Sequence, residues 1–172
     1  DGNTAWCIGV ESGNATGWTA TDWMEDLMLR TASPEKYDMW VSNELPFNSP
    51  EVLNAMEVYG QFSRNDDYVA GGASSVATTF FGDAPKGLFS SPASCLMHRQ
   101  ASFIPAFFPK KGEEVANGEA DFFYFPPYES ANLGNPVLGA GTLWTMTKDS
   151  PATRAFFEFM TTQPRSVSSE FL

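Results

Sequence analysis

The sequence predicts an α/β fold. Three observations carry that expectation. Short apolar runs that read as strands alternate with stretches of helical periodicity. Three helix starts share one Ser-Pro device. The 172 residues are 42% hydrophobic and 15% aromatic, with 15 Phe, which is enough to bury a real core and excludes a disordered chain.

Taken in order, Thr4 to Val10 is an apolar run that predicts a buried strand, and the small, polar residues Glu11 to Gly17 close it with a loop. Thr21 then caps a helix carrying Trp23, Met24, Leu27 and Met28 on one face. Ser33-Pro34-Glu35 and Ser49-Pro50-Glu51 each set a capping hydroxyl before Pro at the first helical position. An acid follows at the positive end of the helix dipole. The second of these helices is expected from about Pro50 to about Arg64, with Val52, Met56, Tyr59 and Phe62 inward. Residues Ala70 to Phe81 predict a short helix, and Pro85 to Phe89 lead into a strand around Cys95 to Arg99. Phe103 to Pro109 is apolar but broken by prolines, and Lys110 to Gly118 is a charged surface loop. Asp121 to Pro127 predicts a strand ended by a double proline, Tyr128 to Pro136 a polar loop, and Val137 to Met146 a glycine-rich strand. Ser150-Pro151-Ala152 opens the third Ser-Pro helix, bearing Ala155, Phe156, Phe159 and Met160. There is no internal repeat and no low-complexity segment.

Charge and cysteines narrow the class. With 21 acidic and 10 basic residues the net charge is −11, which disfavours nucleic acid and anionic membranes as partners. No apolar run is long enough to span a bilayer, and no signal peptide is visible at the N-terminus; a mature form and a piece of a longer chain both fit. The spacing of Cys7 and Cys95 excludes CxxC chemistry. They are either a disulfide closing a long loop or two buried thiols, and an oxidising compartment would favour the disulfide.

The search for chemistry is mostly negative. His98 is the single histidine, and no GxSxG elbow accompanies it, which argues against a Ser-His-Asp triad. No ligand spacing suggests zinc, and no cofactor is expected. Glu11 at a strand end could serve a glycosidase, but among 21 acids a suitable carboxylate pair arises by chance. Gly139-Ala140-Gly141 lies in a predicted strand and lacks the third glycine of a dinucleotide fingerprint; close backbone approach to a ligand or a second strand accounts for it better.

The positive signal is aromatic rings beside polar groups. Sugars present flat apolar faces to rings and hydroxyls to acids, amides and Arg. Glu11, Ser12, Trp18, His98, Arg99, Gln100, Tyr124 and Tyr128 all fall at loop edges. Trp6, Trp23 and most Phe residues read as core; Trp18, in Gly17-Trp18-Thr19, fits core and stacking equally.

Several phrases occur in a telling order: Trp6-Cys7-Ile8-Gly9-Val10-Glu11-Ser12-Gly13, Ala15-Thr16-Gly17-Trp18 with Thr21-Asp22-Trp23, and Tyr68-Val69-Ala70-Gly71-Gly72. His98-Arg99-Gln100-Ala101-Ser102-Phe103, Gly139-Ala140-Gly141-Thr142-Leu143 and Met146-Thr147-Lys148-Asp149 follow. As an ordered set they resemble the family 1 extracellular solute-binding proteins of ABC sugar importers, most of all the α-glucoside-binding members. The resemblance implies a periplasmic or extracellular binding protein that takes up a sugar, serves an ABC permease and catalyses nothing. It implies a two-lobed type II periplasmic-binding-protein fold that closes on its ligand. Its ligand positions fall on Glu11 and Ser12, on Trp18 as a stacking ring, on His98, Arg99 and Gln100, and on Gly139 and Gly141. Arg99 fits a hydroxyl donor and a structural ion-pair partner equally.

Members of that family are more than twice this length. The resemblance therefore implies a fragment lacking the N-terminal part. Residues 1–120 would be second-lobe-like, 121–127 a hinge strand, and 128–172 an orphaned strand and helix that join the first lobe. Two other readings compete: a carbohydrate hydrolase using Glu11, and a free-standing interaction domain that forms a homodimer through exposed strand edges.

Overall fold

A computed structural model describes residues 3–141 and 143–162. The chain is a mixture of helix and strand and divides into two units, the first ending at Leu138 and the second beginning at Gly139.

In the first unit, β1 (Thr4–Trp6) and β2 (Cys95–Met97) pair in parallel, Thr4 opposite Cys95 and Trp6 opposite Met97. The strand expected over Thr4 to Val10 is thus shorter than its apolar run. Beyond Trp6 the backbone stays tied down through changing partners: Cys7 N–H donates to Met97 O at 2.8 Å, Val10 N–H to Val76 O at 2.9 Å, and Glu11 N–H to Thr79 O at 3.1 Å. Regular pairing fails because the facing segment is not extended; it coils into turns, and the short helix expected within Ala70 to Phe81 is one 3-10 turn at Ala73–Ser75. Gly9 fits this crowded passage because a Cβ there would sit 2.5 Å from Thr79 O.

Three helices follow, α1 (Trp18–Thr31), α2 (Pro34–Val41) and α3 (Pro50–Ser63), with α1 packed against both α2 and α3. The Ser-Pro starts act as caps, Ser33 Oγ accepting from Lys36 N–H at 3.2 Å and Ser49 Oγ from Val52 N–H at 3.4 Å. The start of α1 corrects the expectation of a Thr21 cap. Gly17, at φ 103°, reverses the chain in the left-handed region open to glycine, so the helix begins at Trp18. Met24, Leu27, Met28, Leu45, Val52 and Ala55 form the core. In α3, Ala55 takes the inward place expected of Met56, which is exposed. An aromatic layer adjoins this core: Trp23 meets Trp6 at 5.3 Å, Phe62 at 5.0 Å and Phe125 at 5.5 Å between ring centroids. Cys7 and Cys95, both buried, have Cα atoms 5.4 Å apart and joined sulfurs.

A single helical turn, α4 (Glu113–Ala116), interrupts the expected surface loop. Glu114 turns inward and its carboxylate accepts the N–H groups of Lys110 and Gly112. Burial pushes its pKa up, but these bonds outweigh burial and hold it below the ordinary glutamate value.

The strands expected at 121–127 and 137–146 are not formed among the described residues. Pro126 and Pro127 offer no N–H, and the carbonyls of Phe125 and Pro126 are taken by the Arg30 guanidinium rather than by a neighbouring strand. Among the described residues, 137–141 and 143–146 have no ladder partner; Thr142 lies outside the described residues.

The second unit contains α5 (Pro151–Thr162), capped by Ser150 Oγ, which accepts from Thr153 N–H at 3.2 Å. Arg154 grips Asp149 through two hydrogen bonds, and Phe156 meets Trp144 at 5.7 Å. Phe156, Phe159 and Met160 remain exposed.

Candidate functional site

Glu11 to Trp18 is the loop that leaves the strand layer and enters α1. The Glu11 backbone bridges to the segment ending in Phe80, its carbonyl accepting from Phe81 N–H at 3.0 Å. Its carboxylate accepts from Gly13 N–H at 2.6 Å, which folds the loop back on itself. Ser12 N–H donates to Thr16 Oγ1 at 2.9 Å, and the Thr16 hydroxyl donates to Gly13 O at 2.7 Å. Gly17 N–H donates to Val10 O at 2.8 Å, which fixes where Trp18 begins the helix.

Trp18 stands against an aromatic wall. Its ring lies 5.1 Å from Phe81 and 5.9 Å from Phe103, while Phe81 reaches Phe80 at 4.6 Å and Phe107 at 5.1 Å. Gly82 permits this, since a Cβ there would meet the Phe107 ring at 2.4 Å. Phe80 and Phe103 are 37% and 42% exposed, so the wall is not sealed into the core. A solvent-facing wall of rings beside a carboxylate suits a ligand with a flat apolar face and a hydroxylated rim.

The strip from His98 to Phe103 runs along α1. His98 Nδ1 lies 2.7 Å from Cys7 O, while its Nε2 is buried with no partner among the described residues. Burial pushes the His98 pKa down; the bond to Cys7 O opposes this, and the Arg99 charge adds to it, so the net shift is downward. Arg99 is an ion-pair partner rather than a free donor. Its Nε meets Asp26 Oδ2 at 2.8 Å, its Nη2 contacts the same oxygen, and its guanidinium lies 5.5 Å from the Trp23 ring. Asp22 Oδ2 stands 3.9 Å from Arg99 Nη1, and its pKa is raised by burial, with Arg99 opposing and Asp26 adding. Gln100 Oε1 accepts from Ala101 N–H at 2.8 Å. Trp18, Asp22 and Asp26, at four-residue intervals on α1, therefore face Phe103 and Arg99 in turn.

The structure thus gathers Glu11 and Ser12 in the loop that leads into Trp18, and it ties Arg99 to the helix that Trp18 begins, while His98 bonds to Cys7 and Gln100 to the backbone of Ala101. Gly139 and Gly141 belong to the second unit. Both are exposed, and among the described residues a Cβ at either would meet nothing within 4 Å. The sequence reading missed Phe81, Phe103 and Phe107 as wall residues and Asp26 with Arg30 as a buried pair. The signal for the pair was present: two opposite charges at i, i+4 on a helix face otherwise filled by Met and Leu. A separate depression of 240 Å³ is lined by Leu88, Leu96, Glu119 and Asp121 and bordered by Cys95. Among the described residues no cluster of His, Cys, Asp and Glu could hold a metal, and no helix is long and apolar enough to cross a membrane.

Along nearly its whole length this chain is similar to two curated binding proteins. It is 62% identical over 163 residues to the alpha-glucosides-binding periplasmic protein AglE of Rhizobium meliloti, covering 94% of this chain and 35% of AglE. It is 43% identical over 169 residues to the osmoprotective compounds-binding protein GgtB of Synechocystis, covering 98% of this chain and 39% of GgtB. The chain spans 35% and 39% of the length of these curated relatives. No family model matches the chain, and no solved structure matches it.

Proposed function

We propose that this chain is part of the sugar-binding component of a bacterial ABC importer, working in the periplasm, with an α-glucoside as ligand and no catalytic activity. The observation that carries the reading is the solvent-facing wall of Trp18, Phe81 and Phe103 beside Glu11, on a chain 62% identical to a protein named for binding α-glucosides. Trp18 stacks on a sugar face, and Glu11 and the loop amides around Ser12 meet hydroxyls. Arg99, paired with Asp26, anchors the strip that ends in Phe103, and His98 and Gln100 on that strip contribute to the ligand site. Residues 1–120 belong to one lobe of a type II binding-protein fold, 121–127 carry the chain across, and 128–172 join the other lobe. An ABC permease is the partner of the whole protein. The periplasm is oxidising, which suits the Cys7–Cys95 bond.

Thermal unfolding against maltose, trehalose, sucrose, glucose, an osmoprotectant and a pentose tests the reading, because a ligand that binds only the native state raises the midpoint by mass action. A selective, concentration-dependent rise with one glucoside is expected. A rise with the osmoprotectant alone would move the ligand class toward that named for GgtB. No rise with any of them, in this chain and in a longer protein carrying it, would overturn the proposal. Release of reducing sugar that disappears in Glu11→Gln would replace it with a hydrolase.

A further inference from the structure

Asp26 and Arg30 are buried, 6% and 2% exposed, on the face of α1 that points toward both the 98–103 strip and the 125–136 segment. Asp26 divides its carboxylate. Oδ1 accepts from Arg30 Nη1 at 2.6 Å, and Oδ2 accepts from Arg99 Nε at 2.8 Å and from Arg99 Nη2. Arg30 spends its remaining donors on backbone: Nη2 donates to Phe125 O at 2.8 Å, Nε lies 3.3 Å from both Phe125 O and Pro126 O, and Nη2 reaches Pro136 O at 3.4 Å. The guanidinium also lies 4.6 Å from the Phe125 ring centroid. Among the described residues no strand pairs with these carbonyls, and Arg30 supplies the hydrogen bonds a ladder would have given.

From this geometry we infer that Asp26 is a positioning residue, and that Asp26 and Arg30 form a clamp seating two remote segments on α1 at once. One arm runs Asp26–Arg99 and fixes the strip that ends in Phe103 against Trp18. The other runs Asp26–Arg30 and fixes the proline-bounded segment 125–136. A planar guanidinium is suited to each arm, since it serves several acceptors in one plane where an ammonium offers a point charge. The relevance of the first arm to a ligand rests on the sugar-binding reading; the clamp itself does not.

Backbone order parameters from NMR relaxation on the unliganded chain test it, so failure of sugar binding leaves the result readable. In the wild-type chain both segments should sit near the rigid value of about 0.85. Asp26→Asn should drop both 99–103 and 125–136 toward the flexible range, below about 0.6, with α3 unchanged. Arg30→Lys should loosen 125–136 alone, and Arg99→Lys should loosen 99–103 alone. If Asp26→Asn fails to fold, the two lysine variants, which keep their charges, decide the matter. Either lysine variant loosening both segments equally, or neither loosening its own, would overturn the clamp.

Discussion

Trp18 and Phe81 meet edge to face, with ring centroids 5.1 Å apart, at the point where the Glu11 bridge hands the chain to α1. The contact joins the start of a helix to the end of a coiled segment, and the Trp18 ring is half-buried there. Trp18→Ala should lower unfolding stability by about 1–3 kcal/mol, less than a fully buried ring would lose. It should also abolish a glucoside-induced rise in midpoint. Trp18→Phe should keep much of both. Urea unfolding and the sugar panel on the three proteins check this; a Trp18→Ala chain that still responds to sugar would remove Trp18 from the site.

Cys7 and Cys95 close a loop of 88 residues in sequence. A cross-link of that span restricts the unfolded chain by about 4.6 kcal/mol on the entropic account. Protein from an oxidising host should yield the linked peptide on non-reducing mapping, and reduction should lower its melting midpoint. Free thiols in that preparation would refute the bond.

His98 is held neutral by burial. Its folded pKa lies below the ordinary value of 6.5, so the unfolded chain takes up the proton first as pH falls. The contribution is therefore complete above about 6.5 and lost as pH drops toward the folded pKa. Urea midpoints measured from pH 7.5 to 5 should fall for the wild type. His98→Gln should flatten this limb, since the carboxylates titrate chiefly below it. An equal slope in both proteins would show that other groups carry it.

Gly9→Ala should be costly where Gly139→Ala is not. At Gly9 the new methyl would overlap the Thr79 carbonyl oxygen, and backbone cannot swing aside as a side-chain tip can. The cost should be about 1–3 kcal/mol. At Gly139 the space is open, and the change should stay within about 0.5 kcal/mol. Denaturant midpoints for the pair give the comparison directly.

Local chemistry by itself determined much of this molecule. The Ser33 and Ser49 caps with their prolines mark α2 and α3 because a cap is made by residues within one turn of each other. The inward face of α1 was legible from Trp23, Met24, Leu27 and Met28, and the small, polar run after Val10 marked the loop that carries Glu11 and Ser12. Tertiary structure decided what depends on distant partners. A strand exists only where a second strand meets it, so the apolar runs at 121–127 and 137–146 could not disclose that none meets them among the described residues. That Arg99 pairs with Asp26, 73 residues away in sequence, and that Trp18 meets Phe81 and Phe103, no local pattern disclosed. Local patterns are encoded in neighbouring residues, whereas ion pairs and ring contacts form between segments whose adjacency no spacing along the chain records.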